Sequence, residues 1–501
     1  MRRAYAATRV EVWHHLSDSD VVAATVGVAV ACAYGPRYTG LIAGVAFGVA
    51  LGRRRWWPLL VCVGLCLLAT AAAQHAARSF HPRHVGPVEG WVAVASDPAL
   101  IGNGVRLTLE VQGERFDAWI YGGRRVKALG LAAGEQVWLM GERTPARTLD
   151  HRLAVRHVVG RLRIDVLADV RSGNGVARLS NRVRRALRAS ANATMDASHA
   201  ALFTGLVIGD DAAQPKWMVD EFRSAGLSHL TAVSGQNVAF ILLGASPLLR
   251  RLGPWWRWAV TLGLIFWFMA LTRFEPSVIR AGVMAGLAAT AFAWGGRLSP
   301  LRLVAWAVVV VLLADPFLVW SVGLWLSVGA TLGVGVLGPR IAAALPGPRW
   351  FRTGAGVVLG AQAGVLLPSV AVFHRLPVVS LVANPLAVPV AGVVMLVGLP
   401  IGLLAASLPQ WSARALMAVP VISTRWVALV ARVAAWAEPT PGWSALCWAF
   451  VARLALWRSG FTAAPKPPRV FRGGNTGCGM SVRLLSSRTG GASSASRSRT
   501  M

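Results

Sequence analysis

Negative charge is what this sequence has least of. Its 501 residues contain 21 Asp and Glu against 51 Lys and Arg, for a formal net charge of +30. Charged residues of both signs make up only 14% of the chain, where an ordinary soluble domain carries about 25%. Hydrophobic residues reach 55% and the mean hydropathy is +0.53. That combination excludes a string of soluble domains, and it excludes disorder over most of the chain, because so much apolar surface must collapse or enter lipid. Cysteine is also scarce. Of Cys32, Cys62, Cys66, Cys447 and Cys478, the first four sit in apolar stretches and no pair brackets a polar, water-exposed region. A disulfide scaffold is therefore not expected, and Cys62 and Cys66, without neighbouring ligands, read as inert core thiols. No P-loop is present, so nucleotide hydrolysis is not expected to drive the protein. What remains is an integral membrane protein basic enough to meet anionic lipid, nucleic acid, or both.

The apolar runs organise the chain. Three, at about 21–34, 38–52 and 56–74, follow a polar start bearing Arg2, Arg3 and Arg9. Only the third approaches the ~20 residues that cross hydrocarbon. No small-residue cleavage site follows the first, which disfavours a removable signal. With Arg2, Arg3, Arg9 and Arg53–Arg54–Arg55 on the cytoplasmic side, three crossings put residue 75 onward outside. The polar block 75–195 then changes rhythm. WVAVAS, VRLTLEV, RFDAWIYG and QVWLMGE alternate apolar and polar residues between glycine turns, predicting a small β-barrel or sandwich. The block holds 19 Lys/Arg and 10 Asp/Glu, net +9. It ends in an Arg-rich amphipathic helix over 171–195 carrying Arg178, Arg182, Arg184, Arg185 and Arg188, read either as a helix on anionic headgroups or as a polyphosphate-binding collar. From 196 to 458 about eight apolar segments follow, at 226–249, 255–272, 276–294, 300–314, 317–338, 354–372, 376–405 and 413–436. Residues 459–501 turn to Arg, Ser, Gly and Pro and are expected to be disordered.

Polar residues inside the apolar half carry the functional signal. An apolar run stops at Gly209-Asp210-Asp211. A polar helix starting near Pro215 then sets Asp220, Glu221 and Arg223 between membrane segments. Next, GLSHLTAVSGQNVAF (226–240) places Ser228, His229, Thr231, Ser234, Gln236 and Asn237 in an otherwise apolar span. Such groups are costly at bilayer depth unless buried in protein or lining a wet cavity. GLSHLTAVSGQNV resembles the signature of ComEC-type competence proteins. The likeness continues, in the same order, through LFTGLVIGD, RFEPSVIRAGVMAG (273–286), DPFLVWSVGLWLSVGATLGV (315–334) and VFHRLPVVSLVANPLAVPV (372–390). The resemblance implies a polytopic α-helical membrane protein with an inserted small all-β, OB-like extracytoplasmic domain at 75–170. It implies uptake of single-stranded transforming DNA across the cytoplasmic membrane, in company with a separate DNA receptor, helicase and nuclease.

On that resemblance the pore candidates are Asp210, Asp211, Glu221, Arg223, His229, Ser234, Gln236, Asn237, Glu275, Arg280 and Asn384. His229 could equally be a helix-packing residue and Asn384 a helix-break residue, while Arg280 should pair with an acid or face the pore. Asn237 stands where the family often has His, so a hydrogen-bonding role survives there and a titrating one does not. The DNA-binding candidates are Trp91, Trp119, Tyr121, Arg124, Arg125, Arg182, Arg184, Arg185 and Arg188, although any one Trp could instead fill a barrel. Many family members also carry a metallo-β-lactamase-like domain with a His-x-His-x-Asp-His cluster. The ten histidines here do not form it, so no metal, cofactor or nuclease activity is expected of this chain. Two other readings compete. An intramembrane serine protease using Ser234 and His229 has poor dyad spacing, and a small-solute transporter with broken helices has no need of a basic outer β-domain.

Overall fold

A computed structural model of the chain describes residues 17–35, 56–146, 150–231, 235–294, 299–373, 377–439, 442–443 and 453. Residues 1–451 form one unit and 452–501 another, and the features below belong to the first. The expected second apolar run (38–52) and the tail 459–501 lie outside the described residues, except that the run's neighbours on either side are seen as helices.

Helix α1 (Asp18–Tyr34) begins where Ser17 and Asp20 cap each other: the Ser17 hydroxyl accepts the Asp20 backbone N–H, and the Asp20 carboxylate accepts that of Ser17. Helix α2 (Trp56–Arg78) leads into a small sheet domain. Its strands are β1 (Gly86–Val94), β2 (Ala99–Ile101), β3 (Gly104–Val111), β4 (Glu114–Ile120), β5 (Gln136–Pro145) and β6 (Val158–Arg171), with the short helices α3 (Arg124–Leu129) and α4 (His151–Val155) between them. β1 pairs with both β5 and β3, β5 with β6, β6 with β4 in parallel, and β4 with β3. Five strands therefore close a ring, β1-β3-β4-β6-β5, with β2 appended to β3. Alternate residues fill it: Leu107 and Leu109 from β3, Phe116, Ala118 and Ile120 from β4, Val137 and Leu139 from β5, Leu162 and Ile164 from β6. The four alternating segments of the sequence are β1, β3, β4 and β5. The longest strand, β6, had no counterpart in that reading.

The helical part starts with α5 (Gly175–Thr194), capped by Asn174 through the Ala177 N–H. It continues through α6 (Ala197–Ile208), α7 (Lys216–Ser224), α8 (Ser228–Thr231), α9 (Gly235–Leu249), α10 (Pro254–Leu271), α11 (Pro276–Ala293), α12 (Pro300–Ala314), α13 (Val322–Leu332), α14 (Gly338–Ala344), α15 (Arg349–Phe373), α16 (Ser380–Ala405) and α17 (Gln410–Ala437). The apolar run at 317–338 is not one plain helix. A 3₁₀ turn (Pro316–Trp320) follows Asp315, and a π-helical turn (Gly333–Leu337) separates α13 from α14. Among the described residues, four helices are long and apolar enough to cross a membrane: Leu60–Arg78, Val322–Ala344, Ser380–Ala405 and Gln410–Ala437. The molecule is thus mostly helical, with a small N-terminal sheet domain.

Two cores hold the helices. One gathers α5, α6, α7, α9, α10, α11, α16 and α17 around Leu187, Phe203, Leu206, Phe222, Phe268, Val394 and Met417. The other joins α1, α2, α12 and α13 around Val28, Ala69, Val308, Leu312 and Leu324. Small residues set the closest approaches. Gly329 and Gly333 lie against Gly364 and Gly360 of α15 so tightly that any Cβ would run into the facing carbonyl.

Candidate functional site

The outer face of β3 and β4 is the first place where the sequence candidates converge. Arg106 and Trp119 are directly opposite across the two strands. The Arg106 guanidinium lies over the Trp119 ring at 5.9 Å, and Tyr121 is stacked beside Trp119 with centroids 6.4 Å apart and planes 14° apart. Trp119 is 36% and Tyr121 60% exposed, so both offer a ring to solvent rather than filling the barrel. Beside them Asp117 is buried under two arginines. Arg106 Nε donates at 2.8 Å and Arg156 Nη2 at 3.2 Å, and Arg156 also donates to the Thr108 hydroxyl at 2.5 Å. Burial outweighs the Arg106 charge and holds the Asp117 carboxyl above its ordinary range. Trp91 lies elsewhere on the barrel, paired with Trp138 across β1 and β5 and covered by the Arg171 guanidinium at 3.9 Å. Arg124 is tied down, donating to the Ile164 and Asp165 carbonyls, and Arg125 reaches the Asn103 side chain at 3.4 Å.

The Arg-rich helix α5 divides by face. Arg182, Arg185 and Arg188 are exposed, whereas Val183, Leu187 and Ala191 enter the helical core. Arg184 is on the inner face, and its expected role as a strand contact does not fit its position. At 3% exposure it donates to Asp97 Oδ2 at 2.9 Å and to the carbonyls of Leu271 and Ile208, and it pairs with Asp210 at 3.3 Å. Arg188 closes on the other Asp210 oxygen. Arg273 completes the cluster with a forked pair of bonds to Asp97 at 3.0 and 3.1 Å and one to Asn181 at 2.6 Å. Arg273 and Phe274 both hold positive φ, 63° and 54°, a strained turn that aims the guanidinium at the barrel loop. Asp97 also accepts the Ala133 N–H at 2.8 Å. Burial alone would raise its pKa, but Arg184 and Arg273 outweigh this and hold it below the usual carboxylate range.

Asp210 is therefore a link in an ion network, held where Gly209 ends α6 in the left-handed conformation at φ 65°. Three arginines and two aspartates join the barrel, α5, the 209–211 turn and the 271–274 turn. A second joint involves the loop between β5 and β6. His157 Nε2 is 2.8 Å from Asp315 Oδ2, His151 stacks on Trp320 at 3.9 Å, and Phe80 meets Phe317 edge-on at 5.5 Å.

Deeper in the helices the ordered motifs meet. Gly226, at φ +71°, places its Cβ position 2.6 Å from Ser380 Cβ. Asn237 is buried and donates to the Leu206 carbonyl at 3.0 Å. Arg280, 3% exposed, donates to the Ser327 hydroxyl and to Met284 Sδ, and its Nη2 is 3.1 Å from the Gly235 Cβ position. No acid pairs with it among the described residues. Asn384 is buried with Oδ1 unsatisfied. The remaining candidates are dispersed. Glu221 pairs with Arg432 at 3.3 Å and Arg223 with Asp220 at 3.4 Å; Asp211, His229 and Glu275 are exposed and Gln236 is half-buried; Ser234 lies outside the described residues. Sequence reasoning missed Asp97, Asn181, Arg273, Arg106, Arg156 and Ser327. Arg106 had a local signal in its outward alternation along a β segment, and Arg273 and Ser327 lay inside the quoted motifs 273–286 and 315–334.

A β-ring joined by buried ion pairs to a motif-bearing bundle of apolar helices, four of them among the described residues long and apolar enough to cross a membrane, defines a mostly helical protein with an attached sheet domain. A family model for competence proteins matches residues 206–461, just over half of the chain, and the chain belongs to that ComEC-type family. Competence protein ComA of Neisseria gonorrhoeae is 34% identical over 170 residues, covering 32% of this chain and 24% of that protein. ComE operon protein 3 of Bacillus subtilis (strain 168) is 27% identical over 234 residues, 45% and 29% of the two chains. An uncharacterised protein of Escherichia coli (strain K12), YcaI, is 29% identical over 218 residues, 38% and 27%. The matches thus span 24–29% of these relatives' lengths. No solved structure matches the chain.

Proposed function

We propose that the chain is a channel that passes single-stranded transforming DNA across the cytoplasmic membrane, with its β-ring as an OB-like outer domain that gathers the strand. The observation that carries this reading is the Arg106–Trp119–Tyr121 platform. In OB barrels, ligand strands lie on the face of the second and third barrel strands and between the loops joining strands 1–2 and 4–5. β3 and β4 are the second and third strands of the ring, and the two corresponding loops carry Asp97 and Arg156. Those loops are also the ones that join the barrel to the helices. A strand stacked on Trp119 and Tyr121 would therefore be delivered toward the motif-bearing turns at 209–211 and 271–274.

Charge supports the orientation. The helix ends remote from the barrel carry Arg250, Arg251, Arg257, Arg302, Arg340, Arg349 and Arg352, against Asp18 and Asp20. Trp255, Trp258 and Trp294 cluster there with centroids 5.2–6.4 Å apart, as an interfacial belt would. On the positive-inside rule that end is cytoplasmic and the barrel extracytoplasmic. We read the work of the chain as transport rather than catalysis, with reception of duplex DNA, unwinding and degradation left to a separate receptor, helicase and nuclease. Deleting the chain from its host and following labelled DNA tests this directly. Loss of internalised single strand with retention of surface-bound DNA is expected. Uptake at the parental level would refute the channel.

A further inference from the structure

We propose that Arg280 is an oxyanion site inside the channel, and that its guanidinium takes a backbone phosphate of the passing strand as counter-charge. The inference rests on the channel reading and names a contact within it. An ionised guanidinium buried among apolar helices costs several kcal/mol unless an anion and further hydrogen bonds compensate it. Seven acids lie between residues 200 and 439, and none supplies that compensation. Asp210 is held between Arg184 and Arg188, Asp220 by Arg223, Glu221 by Arg432 and Asp315 by His157. Glu438 accepts the backbone N–H groups of Val378 and Val379, while Asp211 and Glu275 are exposed and make no ion pair with Arg280.

What Arg280 has instead is a hydroxyl and a thioether. Its contacts are Ser327 Oγ of α13 and Met284 Sδ, a weak acceptor. Its Nε is buried with no partner. Gly235 lets the guanidinium lie against the α9 backbone, since a Cβ there would stand 3.1 Å from Nη2 and 2.9 Å from Ala281 Cβ. Gly235, Arg280 and Ser327 come from three different sequence motifs that the fold brings to one point. A guanidinium fork matches the paired oxygens of a phosphodiester, and one phosphodiester carries the single negative charge that Arg280 lacks. A lipid headgroup phosphate offers the same oxygens, so the test separates the two.

The full-length protein is compared with R280K, R280Q and the volume-matched R280M, both in the host and purified into phosphatidylcholine nanodiscs. Uptake of labelled strand should fall at least tenfold in R280Q and R280M and stay intermediate in R280K. The melting temperature of R280M should equal or exceed that of the parent, because the substitution removes an unpaired buried charge. A single-stranded phosphodiester oligonucleotide should raise the parent's melting temperature more than R280Q's, and its uncharged methylphosphonate analogue should raise neither. Unchanged uptake in R280Q, with the deletion strain defective, would overturn the site. So would uptake and melting temperature falling together in R280Q and R280M, which marks a packing role. Arg280-dependent stabilisation by phosphatidylglycerol nanodiscs without any by the oligonucleotide would assign the anion to lipid and overturn the strand contact. If the deletion strain takes up DNA normally, the channel reading fails, and the oligonucleotide comparison still decides the oxyanion site.

Discussion

Replacing Asp97 with Asn probes the joint between barrel and helices. Asn keeps the shape and can still accept the Ala133 N–H, but it leaves Arg184 and Arg273 without their shared carboxylate. The side chains of Arg184, Arg273 and Asp97 are 4%, 16% and 18% exposed, so little water is available to replace the lost charge. Breaking a buried ion pair by removing one partner costs about 3–5 kcal/mol, and the partial exposure of Asp97 places this case near the low end. The shift of roughly 2–4 °C per kcal/mol that holds for 150–250 residues about halves for a unit spanning residues 1–451, so a loss of about 3 kcal/mol lowers the melting temperature by roughly 3–6 °C. Thermal scanning of the purified full chain reads that shift, and limited proteolysis between β6 and α5 should speed up as the barrel loosens. The pH dependence has a definite sign. The folded Asp97 carboxyl lies below its ordinary value, so its contribution is complete above about pH 4–5 and is lost as pH falls through the folded value. The D97N protein should lack that acid-side loss. A melting temperature within 1–2 °C of the parent and unchanged cleavage would refute the account of the joint.

Trp119→Ala or Tyr121→Ala should weaken single-strand binding by the full chain by about 1–3 kcal/mol each, measured by anisotropy with a labelled oligonucleotide. Arg106→Gln should also lower the slope of log affinity against log salt by about 0.7. Asp315→Asn removes the half-exposed His157 pair and should cost about 1 kcal/mol or less, a smaller melting shift than D97N. Gly333→Leu forces a side chain into the Gly360 carbonyl and should sharply reduce the yield of folded protein in membranes, which fluorescence-detected size exclusion would show.

Four of the barrel strands were legible because their side chains alternate between core and solvent, a period that survives without any tertiary knowledge. β6 was not, because its run VVGRLRIDVLADVR sits next to an Arg-rich helix and bends through register shifts against β5. Most of the apolar helices were visible as hydrophobic runs, with ends marked by Pro and Gly. Helix α5 was read correctly as amphipathic but assigned to a surface. Its apolar stripe enters the helical core, and Arg184 goes with it, because the acid that receives Arg184 is 87 residues away. No local pattern encodes a pairing across that distance. The same holds for Arg273 with Asp97, separated by 176 residues, and for Arg280 with Ser327, where only the fold brings two motifs together.

The central claim is that this chain lets a single strand cross a bilayer. The most direct measurement is the release of a fluorescent oligonucleotide from vesicles holding the purified full-length protein, driven by an imposed potential. The account predicts release of single strands, little release of duplex, and reduced release when Trp119 and Tyr121 are both replaced by Ala. Vesicles that retain the single strand while leaking a small solute would contradict it.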